Sequence, residues 1–170
     1  MGNLNIKKKR KEQSKTEKNE DKIKKASKGK YRIIFLGDSA IGAKTTLIAR
    51  IMRIEFYDYS IDDSLPCVKY VDRGNNKNII LDLIDTAGQE RFRSIAEKNI
   101  KYGDCIVLGY DITRKSSFES IKDYWCHTVK DILGSNALIY LVGNKIDLNV
   151  SRQVSKEEAI EYAEKEKLRF

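Results

Sequence analysis

The sequence predicts an α/β fold of three layers, a mostly parallel sheet with helices on both faces. Three observations predict it. Short runs of branched apolar residues have the length of strands, longer amphipathic stretches separate them, and turn residues stand where one passes into the next. Strands that alternate with helices of this length need crossover connections, and these cover both faces of a parallel sheet.

The elements follow in order. Tyr31-Arg32-Ile33-Ile34-Phe35-Leu36 reads as a buried strand ended by Gly37. A helix is expected over roughly residues 44 to 54. Cys67 to Val71 is joined to the strand Ile79-Ile80-Leu81-Asp82-Leu83-Ile84 by the turn-rich residues 72 to 78, which predicts a hairpin and one antiparallel edge strand. Two further strands are Cys105-Ile106-Val107-Leu108-Gly109-Tyr110 and Ala137-Leu138-Ile139-Tyr140-Leu141-Val142. Helices are expected near 92 to 101, 117 to 133 and 155 to 166. The last starts at a capping box, Ser155 with Glu158 three residues on. No internal repeat is present.

Composition sets limits on function. The formal charge of +8 sits in the first 30 residues, which hold twelve Lys or Arg against four Asp or Glu, so residues 31 to 170 are formally neutral. Residues 1 to 30 have too little apolar surface to offset ordering entropy and are expected to be a disordered basic tail, with one folded domain at 31 to 170. The tail reads as a solvated extension or as a patch for an anionic membrane surface. Neutrality of the folded part argues against nucleic acid as a partner. Met1-Gly2-Asn3-Leu4-Asn5-Ile6 approaches a myristoylation pattern, but Ile6 stands where Ser or Thr is wanted. Cys67, Cys105 and Cys126 are odd in number and outside any metal-ligand spacing, which predicts free thiols in a reducing compartment. No apolar run approaches the roughly 20 residues of a membrane span, so a cytoplasmic protein is expected, with peripheral attachment to the cytosolic face of a membrane as a further expectation through the tail.

Three motifs carry chemistry. The first strand runs into Gly37-Asp38-Ser39-Ala40-Ile41-Gly42-Ala43-Lys44-Thr45-Thr46, close to the phosphate-binding pattern G-x-x-x-x-G-K-[ST]. Small residues let backbone N–H groups approach phosphate oxygens at the positive end of a helix, Lys44 would reach the outer phosphates, and Thr45 would ligate Mg2+. The strand from Ile79 ends in Asp85-Thr86-Ala87-Gly88-Gln89-Glu90-Arg91-Phe92. Asp85 at a strand's C-terminal edge can hold Mg2+ through a water, Gly88 can turn its amide to a terminal phosphate, and Gln89 can orient an attacking water. Gly143 delivers Asn144-Lys145-Ile146-Asp147. Asp147 can accept from the guanine ring N–H and its exocyclic amine, Asn144 can tie loops together, and the stem of Lys145 can pack over the base. His127, Tyr124 and Trp125 read as surface or packing residues.

With these strings in place, residues 31 to 170 resemble the Ras superfamily of small GTPases. Residues Asp85 to Ile95 and Tyr110-Asp111-Ile112-Thr113 resemble its Rab branch, whereas Tyr57-Asp58-Tyr59-Ser60-Ile61-Asp62-Asp63-Ser64 resembles the Ras effector loop. The resemblance implies a phosphate-loop NTPase fold with six strands, GTP or GDP with Mg2+, and switch segments near 56 to 64 and 86 to 96 that order around the terminal phosphate. It also implies that Ser60 supplies a switch hydroxyl to Mg2+, that Phe56 packs on the guanine edge, and that effector, exchange-factor and GTPase-activating proteins are partners. Catalysis would be positioning and charge stabilisation, with Lys44 and Gln89 in catalytic roles and slow turnover in the absence of a partner.

The sequence departs from the pattern in four places. Ala43 lengthens the loop by one residue, which predicts a displacement of Lys44 and Thr45; a gap there aligns Lys44, Thr45, Leu47 and Arg50 with the family pattern. Ala40 replaces a common glycine. The first switch is short, and the sequence stops at Phe170, where the final strand begins, so the last strand and helix are expected to be missing and apolar sheet surface exposed. Two readings follow: a GTP-hydrolysing switch in signalling or vesicle traffic, or a module that holds GTP or GDP and hydrolyses little.

Overall fold

The computed structural model describes residues 27–39, 41, 44–52, 67–72, 78–86 and 93–170. In chain order these form β1 (Ser27–Leu36), α1 (Thr45–Met52), β2 (Cys67–Val71), β3 (Asn78–Asp85), α2 (Arg93–Ile100), β4 (Cys105–Asp111), α3 (Lys115–Ser120), a π-helical turn (Ile121–Trp125), α4 (Cys126–Leu133), β5 (Ile139–Asn144), a 3-10 segment (Ile146–Ser151) and α5 (Lys156–Lys165). The strands lie in the order β2-β3-β1-β4-β5. Only β2 runs antiparallel to its neighbour; β3, β1, β4 and β5 are parallel. The predicted architecture is therefore present, including the antiparallel edge strand.

Strand periodicity explains the two layers of core. Side chains alternate across a strand, so Ile34 and Leu36 of β1 face one way and Phe35 the other. The first face joins Ile106 and Leu108 of β4 with Phe118, Ile121, Trp125 and Val129 and with Ala159 and Ala163 of α5, all buried. The second face packs Phe35 and Leu83 against Ile48 of α1. On that face Tyr31 and Tyr140 are 47% and 43% exposed.

The elements differ from the sequence reading at several boundaries. β1 begins at Ser27 rather than Tyr31, because its backbone continues to pair with β3 as far back as Asn78. Lys30 and Arg32 both reach the buried Asp82 carboxylate at 3.1 Å, which reinforces this pairing. The long helix expected over 117 to 133 begins at Lys115 and is interrupted by the π-helical turn. Six strands were implied; among the described residues there are five, and Arg169 continues the sheet along β5 by donating to the Ile139 carbonyl at 2.8 Å and accepting from Leu141 N–H at 2.7 Å. The predicted cap is present: the Ser155 hydroxyl accepts from Glu158 N–H at 3.0 Å. Residues 73 to 77 of the hairpin lie outside the described residues. All three cysteines are free, and no helix among the described residues is long and apolar enough to cross a membrane.

Candidate functional site

Parallel strands bring the ends of β1, β3, β4 and β5 to one edge of the sheet. Phe35 stands opposite Asp85 and Asp111 opposite Asn144, so residues far apart in sequence reach the same edge. The chain leaves β1 towards β2 and β3 on one side and reaches β4 and β5 on the other, and such a reversal opens a crevice at the strands' C-terminal ends.

Gly37 makes the turn out of β1. Its φ is +140°, and a Cβ there would lie 2.4 Å from the Gly109 carbonyl oxygen and 2.6 Å from Ile41 Cδ1, so only glycine fits. Past the turn the chain returns as Lys44, whose buried ammonium donates to the Gly37 and Asp38 carbonyls at 2.8 and 2.7 Å. Burial lowers the Lys44 pKa, with the nearby Arg114 charge adding to it, while the carboxylates of Asp85 and Asp38 act in the opposite sense. Thr45 opens α1, and its hydroxyl donates to Asp85 Oδ2. Hydroxyl and carboxylate oxygens are hard donors of the kind that Mg2+ takes, so this pair fits that ion. Next to it, the Thr86 hydroxyl donates to the Phe35 carbonyl at 2.6 Å and ties the ends of β1 and β3.

The second half of the site comes from β5. The Asn144 side-chain amide donates to the Ile41 carbonyl at 3.1 Å, linking the loop after β5 to the loop after β1. Lys145 then takes a left-handed conformation, φ 64° and ψ 39°, and turns the chain into the 3-10 segment on which Asp147 is exposed. The Lys145 ammonium lies 2.6 Å from Asp111 Oδ2, a partner the sequence reading did not anticipate. Asp111 is almost fully buried and also accepts from Thr113 N–H and the Thr113 hydroxyl at 2.8 and 2.7 Å. Burial alone would raise its pKa; the hydrogen bonds from Lys145 and Thr113 and the Lys145 charge outweigh burial and leave it lowered.

Of the sequence-predicted residues, Gly37, Asp38, Ser39, Ile41, Lys44, Thr45, Thr46, Asp85, Asn144, Lys145 and Asp147 are described, and they come from the loops at this edge. Ala40, Gly42, Ala43, Phe56, Ser60, Gly88 and Gln89 lie outside the described residues. Sequence reasoning missed Asp111, Arg114 and Ser120. The Arg114 guanidinium donates to the Ser39 carbonyl at 2.8 Å, and the Ser120 hydroxyl donates to Asp38 Oδ1 at 2.7 Å. Asp111 had a signal, since it belongs to the Rab-like string, whereas Arg114 and Ser120 had none.

The Ras family model matches residues 32–170. The chain belongs to the Ras family. It is 39% identical over 143 residues to the Ras-related protein Rab-2B of Dictyostelium discoideum, a match that covers 82% of this chain and 69% of that protein. Its fold is thereby that of a small GTPase, a family whose members in general bind guanine nucleotide with Mg2+ and hydrolyse GTP.

Proposed function

We propose that this small GTPase is a molecular switch that hydrolyses GTP to GDP and acts in signalling or vesicle traffic through partners that recognise its GTP state. The observation that carries the reading is the convergence at one sheet edge of three parts: Lys44 on the Gly37 and Asp38 carbonyls, Thr45 beside Asp85, and Asn144 on the Ile41 carbonyl. In this reading Gly37 to Thr46 surround the phosphates, Lys44 carries charge to the outer ones, and Thr45, Asp85 and Ser60 hold Mg2+. The metal, when bound, neutralises charge that develops on the phosphate oxygens. Asn144, Lys145 and Asp147 take the guanine base, with Phe56 at its edge. Gly88 gives its amide to the terminal phosphate and Gln89 orients the attacking water.

Effector, exchange-factor and GTPase-activating proteins are the partners of such a switch, and the basic tail, with its Lys7-Lys8-Lys9-Arg10-Lys11 run, supplies attraction to an anionic membrane surface at the cytosolic face. Single-turnover GTP cleavage by the full chain and by a Gln89→Leu variant tests the enzymatic half. The switch reading predicts slow cleavage that the substitution lowers further; equal rates in the two proteins would instead leave a module that holds GTP or GDP without hydrolysing it.

A further inference from the structure

Four carbonyls of the loop after β1 are held by side chains. Lys44 takes those of Gly37 and Asp38, Asn144 takes that of Ile41, and Arg114 takes that of Ser39. In a planar trans peptide the C=O of one residue and the N–H of the next point in opposite directions. Pinning the carbonyls of Gly37 and Asp38 therefore turns the amides of Asp38 and Ser39 to the other side, and successive amides turned one way form an anion-binding concavity. Lys44 and Asn144 belong to the motifs that identify the site. Arg114 does the same work from outside them, 75 residues along the chain.

The local structure places Arg114 firmly. Its N–H donates to the Asp111 carbonyl at 3.0 Å. Its own carbonyl accepts from Ser117 N–H at 3.0 Å and from the Ser117 hydroxyl at 2.7 Å. Both backbone groups are thus tied where the turn after β4 enters α3, and the side chain extends from a fixed base. From the same helix Ser120 reaches Asp38, so this segment grips the loop at two points. Arg114 Nε is shut off from solvent and has no hydrogen-bond partner among the described residues. Burying a donor in this way is unfavourable, which makes an anchoring of stability alone a poor account of the side chain.

We propose that Arg114 is a positioning residue for the nucleotide's phosphates: it holds the Ser39 carbonyl so that the phosphate loop keeps the shape that receives the anion. The assignment rests on guanine-nucleotide binding at this site. It has a specific consequence, since a residue that acts through the phosphate loop alters affinity for phosphates and leaves affinity for the base and ribose alone.

The test uses the full chain with a fluorescent GDP, measuring its release rate and its displacement by GDP, GMP and guanosine. Arg114→Ala is expected to weaken GDP about tenfold, the low end of what one hydrogen bond involving a charged group contributes. GMP should lose less and guanosine nothing. Arg114→Gln, which keeps an N–H donor for Ser39, should recover part of the GDP affinity. Wild-type release from Arg114→Ala, a loss equal for GDP and guanosine, or no recovery by the glutamine variant would each overturn the assignment. If the wild-type chain itself retains no GDP, the nucleotide reading fails first, a result distinct from any difference between the variants.

Discussion

Replacing Asp111 with asparagine takes a negative charge from a side chain that is only 4% exposed and faces the Lys145 ammonium at 2.6 Å. Asparagine keeps an acceptor oxygen for the two donors of Thr113, so those hydrogen bonds survive. The loss is confined to the hydrogen bond with Lys145, nominally about 1.5–3 kcal/mol for a charged pair. Lys145 is 31% exposed and can turn its ammonium to water, which reduces the expected cost to about 1–2 kcal/mol. For a domain of this size that lowers the melting midpoint by roughly 2–8 °C. The pH dependence adds a second signature. The folded-state pKa lies below the ordinary 3.8, so as pH falls the unfolded chain takes up its proton first. The contribution is complete above about pH 5 and is lost as pH drops through the folded-state value. Thermal or urea unfolding of wild type and variant across pH, both without nucleotide, measures both effects. A midpoint unchanged at pH 7, or a difference that persists undiminished at about pH 2, would refute the claim that this carboxylate joins the base-side loop to the turn before α3.

Two further substitutions probe the frame of the site. Gly37→Ala places a methyl group 2.4 Å from the Gly109 carbonyl oxygen at a φ of +140°, so a loss of roughly 3 kcal/mol or more is expected, together with weakened GDP binding; equilibrium unfolding paired with nucleotide release checks it, and a variant as stable as wild type would contradict the steric argument. Phe118→Ala removes a fully buried ring packed 4.8 Å from Tyr110 and 5.5 Å from Tyr162, and should cost about 3–5 kcal/mol in urea unfolding with little change in the denaturant slope.

The site was legible in the sequence where chemistry demands particular residues at fixed spacing. Lys44 and Thr45 followed from the loop pattern, Asp85 and Asn144 from their places just at strand ends, and the sheet geometry then brings all four to one edge. Lys44 bridges the Gly37 and Asp38 carbonyls. Arg114 and Ser120 were not legible for the opposite reason. An arginine after a strand and a serine on a helix carry no local signal; their contacts with Ser39 and Asp38 arise only when the β4 to α3 turn is folded against β1.

The same division holds for the fold. Periodicity placed the strands because a two-sided core demands alternation, as Ile34 and Leu36 against Phe35 illustrate. It could not place the start of β1, since Ser27 to Lys30 are polar and join the sheet through backbone pairing with β3. Nor could it show the π-helical turn. Phe118, Ile121, Trp125 and Val129 are spaced as on an ordinary helix face, and all four are buried in one core despite the wider turn between them.

The central claim is that this small GTPase recognises guanine at the loop carrying Asn144, Lys145 and Asp147 and phosphates at the loop from Gly37. Calorimetric titration of the full chain with GDP and with ADP, each with Mg2+, tests it most directly. The account predicts that GDP binds tighter by a factor on the order of 10⁴, because ADP leaves the Asp147 carboxylate without its donors; equal affinity for the two nucleotides, or binding of neither, would contradict it.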